Sequence, residues 1–93
     1  MTDAELIEVA RDLRAGILGK RASAGMCMVV SAPLQGLLSA IYGVETTLET
    51  LDFGIINHVW LRLADGRVLD ATADQFDRAP IYLGEEYRYD PLP

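Results

Sequence analysis

The chain holds one cysteine, Cys27 in GMCMVVS, and one histidine, His58 in NHVWLRLADGRVLD, and Asp70 closes the second stretch. A thiol, an imidazole and a carboxylate are the parts of a nucleophilic site. A thiol is poorly ionised at neutral pH, but a helix N-terminus and a neighbouring imidazolium both favour the thiolate, which is the attacking species. In that arrangement Cys27 attacks, His58 exchanges the proton, and Asp70 holds the ring and its tautomer. The Cys27 amide, at the helix end, is one candidate oxyanion donor; Trp60, Thr72 and Gln75 are the candidates for the second and for binding substrate. Each member of the triad also has a structural reading: a small core thiol beside Met26 and Met28, a strand histidine satisfied by hydrogen bonds, an aspartate serving a turn. One Cys, one His and one Asp without paired-ligand spacing do not suggest a metal, and no cofactor is expected.

The elements that must position these residues can be read from spacing. Thr2-Asp3-Ala4-Glu5 matches a capping box, so a helix starts there. Leu6, Val9, Ala10, Leu13 and Ile17 repeat at three and four residues, with Gly16 and Gly19 closing the helix. KRASAG (20–25) reads as a loop delivering the chain to Cys27. Val30, Leu34, Leu37, Leu38 and Ile41 then recur at helical spacing toward Gly43, in a helix apolar nearly all round, as a central buried helix would be. Pro33 leaves a second parse open: a short strand over 26–31, then a helix from about Ser31 with the proline in its first turn.

Beyond Gly43 the period changes to alternation. VETTLETL and IINHVWLRL read as strands around a DFG turn, Arg67 to Thr72 as a return strand, ATADQFDRAP as a polar loop, and IYLG as a last short strand before the EEYRYDPLP tail. Two hairpin registers are open at Ala64 to Arg67. A two-residue Asp-Gly loop puts Asp70 on the face of Leu61 and Leu63. A three-residue loop with Gly66 left-handed opposes 63 with 67, 60 with 70 and 58 with 72, gathering Val59, Leu61, Leu63, Leu69 and Ala71 on one face. Burial selects the second, since a one-residue slip moves every side chain to the other face. It makes His58 and Asp70 diagonal cross-strand neighbours. Trp60 then reads as a contact toward the central helix and Arg62 as solvent-exposed.

The bulk composition narrows the classes of function. A length of 93 residues fits one domain spanning 1–93, and the net charge of -6 with eight scattered basic residues argues against nucleic acid. The lone cysteine fits a reducing compartment, the acidic amphipathic start is unlike a signal peptide, and the apolar run 26–42 is too interrupted to span a membrane. Cytoplasm is the expected location, and unpaired sheet edges make a homodimer plausible.

GMC before a long apolar helix, then NHVWL, then DGRVLDATADQF, resembles the transglutaminase-like branch of the papain-like cysteine-protein superfamily, including small bacterial and phage proteins; arylamine N-acetyltransferases share the Cys, His, Asp order. The resemblance covers roughly Gly25 to Phe76. It implies an α+β minimal papain-like core of two N-terminal helices followed by a three- or four-stranded antiparallel sheet. It implies Cys27 as nucleophile, His58 as base and Asp70 as orienting acid, acting on a peptide or protein amide as a peptidase, deamidase or transglutaminase. No Gln or Asn precedes Cys27 to serve as an upstream side-chain oxyanion donor. The alternative is a non-catalytic acidic interaction or inhibitor protein whose aromatic tail (Tyr82, Tyr87, Tyr89) contacts a partner.

Overall fold

The computed structural model describes residues 1–52, 57–76 and 78–85. Two helices precede a four-stranded antiparallel sheet in the order β1-β2-β3-β4, an α+β arrangement. The first helix, α1 (Asp3–Leu18), starts at a complete capping box, in which Thr2 accepts from the Glu5 amide and Glu5 accepts from the Thr2 amide. Gly16 lies inside α1; the helix ends at Gly19, whose amide donates to the Ala15 carbonyl. Leu6, Ala10 and Leu18 are its buried residues.

The second helix, α2 (Cys27–Tyr42), begins at the cysteine and carries Pro33 inside it. No strand precedes it. Proline removes the amide that would bond the Val29 carbonyl. Val29 and Pro33 are both exposed, so water can take that place. Gly43 ends α2 in the left-handed conformation at φ 66°, which a glycine adopts without steric cost.

The expectation of a central, buried α2 is corrected. Cys27, Val30, Ser31, Leu34 and Leu38 are buried, but Met28, Val29, Ile41 and Tyr42 are exposed. One side packs on the sheet and the other, apolar and uncharged, faces outward. Apolar composition all round did not mean burial all round, because the described elements supply only one layer to cover it.

The strands are β1 (Thr46–Asp52), β2 (Asn57–Leu63), β3 (Val68–Asp70) and β4 (Tyr82–Gly84). The DFG turn and most of the tail, with Tyr87 and Tyr89, fall outside the described residues. Leu61 pairs with Leu69 and Arg62 with Val68, which is the three-residue-loop register. The Gly66 amide donates to the Leu63 carbonyl at 3.0 Å, and Gly66 sits at φ 93°. ATADQFDRAP departs from a polar loop: it contains a 3-10 turn, Ala73–Phe76, and Ala71, Thr72 and Ala73 are buried. Small side chains let the backbone run close against the core there.

One core forms where Leu6, Ala10 and Leu18 of α1 meet Val30, Leu34 and Leu38 of α2 and Leu61, Leu63, Leu69 and Ala71 of the sheet. Leu38 is fully buried at its centre. Leu38→Ala is expected to lower stability by about 2–5 kcal/mol, through lost transfer energy plus the cavity left behind. Urea denaturation followed by circular dichroism measures it; a loss below about 1 kcal/mol would contradict this packing.

Candidate active site

Three elements converge on the triad. Cys27 is the first residue of α2, His58 the second of β2, and Asp70 the last of β3. The hairpin register sets His58 diagonal to Asp70, and His58 Nε2 lies 2.6 Å from Asp70 Oδ2. The other carboxylate oxygen, Oδ1, accepts from the Thr72 amide at 2.9 Å and from the Thr72 hydroxyl at 3.4 Å. Both oxygens of a fully buried carboxylate are therefore engaged. Asp70 is held before it holds His58.

The Cys27 thiol and the His58 ring interact, each favouring the charged form of the other. Since Nε2 faces Asp70, Nδ1 is the ring nitrogen left for proton exchange with the thiol. Burial alone would push the thiol pKa up, but the His58 hydrogen bond, the backbone amides of Val59 and Met28 and the attraction of the ring outweigh it, and the pKa is lowered. For His58, burial opposes the charge, yet hydrogen bonds to Asp70 and Cys27 and the attraction of both raise its pKa to about 9. The two shifts describe one coupled pair, which favours thiolate and imidazolium together. Such a pair supplies a nucleophile and a proton for a leaving group.

The loop before Cys27 is pinned by a residue distant in sequence. Ser23 Oγ donates to Asp74 Oδ1 at 2.6 Å, and Arg14 grips the same carboxylate through two nitrogens at 3.0 and 2.8 Å. Arg14 also donates to the Ala71 carbonyl at 2.9 Å, one residue past Asp70. The Gly25 amide donates to Gln75 Oε1 at 3.4 Å, and the Met26 amide to the Ser23 carbonyl. One network therefore steadies both the cysteine loop and the strand end that bears the aspartate. Ser31, one helical turn beyond Cys27, donates to the Val59 carbonyl at 3.2 Å and fixes α2 against β2 beside the site.

The residues expected to bind substrate have partners within the fold. Trp60 stacks on His58, with ring centroids 5.8 Å apart and planes at 23°, and it stands opposite Glu49 across the β1–β2 pairing, where it helps to lower the Glu49 pKa. Thr72 serves Asp70. The Gln75 side-chain nitrogen donates to the Thr72 carbonyl at 3.3 Å. Arg62, expected in solvent, is instead half-buried in a two-nitrogen ion pair with Glu49 and also donates to the Gly66 carbonyl. The cross-strand pairing of 49 with 60 and of 47 with 62 brings Glu49 diagonal to Arg62, a relation that needed the β1 register.

Ser31, Arg14, Asp74 and Ser23 escaped the sequence reading. Ser31 was within reach, because i+4 from a helix-start cysteine is the same face. Arg14 and Asp74 are sixty residues apart and carry no local signal. Among the described residues no group of three or more His, Cys, Asp or Glu is arranged to hold a metal ion, and no helix is long and apolar enough to cross a membrane. No protein-family model, curated protein or solved structure matches the chain.

Proposed function

We propose that the protein is a cysteine-dependent acyl-transfer enzyme acting on an amide, of the papain-like or transglutaminase-like kind, in a reducing compartment such as the cytoplasm. The observation that supports this most is the His58 ring lying between a fully engaged Asp70 carboxylate and a thiol at a helix N-terminus. The Cys27 thiolate adds to the amide carbon, and the tetrahedral oxyanion is met by first-turn amides of α2. The C–N bond breaks as the His58 imidazolium gives its proton to the departing amine, leaving a thioester. Water, or a second amine, surrenders a proton to His58 and displaces Cys27, which regenerates the pair. The amide class includes peptide bonds and glutamine side chains.

Incubation with p-nitrophenyl acetate is expected to give a burst of p-nitrophenolate and an acyl adduct on Cys27 that hydroxylamine removes. Cys27→Ala should give neither. A folded wild-type protein that forms no adduct with this ester, or with glutamine peptides, would sink the proposal.

Burial favours a second reading. Cys27 is 6% exposed, and His58 and Asp70 are wholly buried. A non-catalytic interaction protein would keep such a cluster as a polar core, with the uncharged outer side of α2 as the apolar surface a protein partner covers. It requires that Cys27→Ala leave the biological activity intact.

A further inference from the structure

On the flank of α1 a cleft of about 320 Å³ opens between the helix and residues 79–81, lined by Arg11, Arg14 and Arg21 over Ala15, Leu18 and Ile81. Among the described residues no carboxylate lines it, in a chain with fourteen acidic residues and eight basic ones. Three arginines have carboxylate partners: Arg62 pairs with Glu49, Arg67 with Asp3 and Asp65, and Arg14, in the wall of the cleft, with Asp74. Among the described residues Arg11 and Arg21 have no carboxylate partner. Arg21 covers the carbonyls of Ile17 and Leu18 at the C-terminal end of α1 with Nη2 and Nε, which masks the end of the helix that would repel an anion and leaves Nη1 outside those bonds. Two guanidinium groups without carboxylate partners beside an apolar floor suit a compact ligand with an oxyanion head and a short hydrocarbon body. The volume lies at the small end of ligand sites.

We propose that this cleft is a binding site for a small organic anion, a carboxylate or phosphate whose head is met by Arg11 and Arg21 and whose body lies on Ala15, Leu18 and Ile81. Arg14 forms one wall and stays committed to Asp74. Because Arg14 also bonds the Ala71 carbonyl, the occupied cleft adjoins the network that steadies the triad, although the proposal does not depend on thiol chemistry.

The test is a titration of ¹⁵N-labelled protein with n-butyl phosphate, pentanoate, inorganic phosphate, and sodium chloride at matched ionic strength. Saturable shifts are expected at the amides of Ala15, Gly19 and Ile81, with at least one of the two organic anions binding more tightly than inorganic phosphate; which of them binds better identifies the head group. Arg11→Ala, which removes no hydrogen bond among the described residues, should weaken that ligand about tenfold, and Arg11→Glu should abolish binding. Shifts that sodium chloride reproduces, that centre elsewhere, or that survive Arg11→Glu in a folded protein would overturn the proposal. So would inorganic phosphate binding as tightly as both organic anions, which would leave the apolar floor without a role.

Discussion

The rate of Cys27 alkylation by iodoacetamide is expected to inflect below the pH of an ordinary thiol, and His58→Ala is expected to move the inflection upward, to the ordinary thiol value or above it. The direction follows from what the mutation removes. With the ring gone, the Val59 and Met28 amides remain but the hydrogen bond and the attraction of the imidazolium are lost, and burial then holds the thiol neutral. The inflection is the readout rather than the rate at one pH, because a thiolate of lower pKa is also a weaker nucleophile. An ordinary thiol is about 3% ionised at pH 7, so the variant should run there at roughly that share of its own alkaline plateau. The wild type should stand at a larger share of its first plateau at that pH. A second rise is expected near pH 9, where His58 gives up its proton and frees the thiolate from its partner, and the variant should lack it. A single inflection at the ordinary thiol pH that ignores His58→Ala would mean the two side chains do not share a proton.

What could be read in the sequence follows from which forces are local. The β2–β3 register was legible because alternation of Val59, Leu61, Leu63 and Leu69 admits one burial pattern and Gly66 one turn, and those apolar residues placed His58 against Asp70 with no appeal to catalysis. The α1 start was legible because a capping box is satisfied within four residues. The outward face of α2 was not, since periodicity says which residues share a side and not whether a second layer covers the opposite one. Likewise the run after Asp70 looked polar, but Thr72 turns its hydroxyl to Asp70, and Asp74 is taken by Arg14 and Ser23. Polar side chains spent on internal partners resemble, in sequence, those spent on water.

Breaking the buried pair should have the largest effect on stability. Asp70→Ala leaves the wholly buried His58 with no carboxylate, and removing one partner of such a pair costs about 3–5 kcal/mol. That is a large share of the roughly 5–15 kcal/mol that holds a small domain together. The urea midpoint at pH 7 is expected to fall accordingly. Replacing both members, as in His58→Leu with Asp70→Leu, should recover much of the loss, because well-packed apolar residues need no compensation for buried charge. The pH dependence gives the same pair a sign. In a Cys27→Ala background Asp70 still holds the His58 pKa above its unfolded value of about 6.5, so its stabilisation is complete below that pH. It should be lost as pH rises through the folded-state value. In the wild type the thiolate opposes this trend: where the folded thiolate-imidazolium pair faces the unfolded neutral pair the two states hold the same number of protons, so the slope should be shallower than in Cys27→Ala. Asp70→Asn keeps an acceptor for Nε2 without the charge, and should remove most of the slope seen in Cys27→Ala while costing less stability than Asp70→Ala. A Cys27→Ala protein whose stability is level from pH 6 to 9, with or without Asp70, would show that the ring is not protonated in the fold.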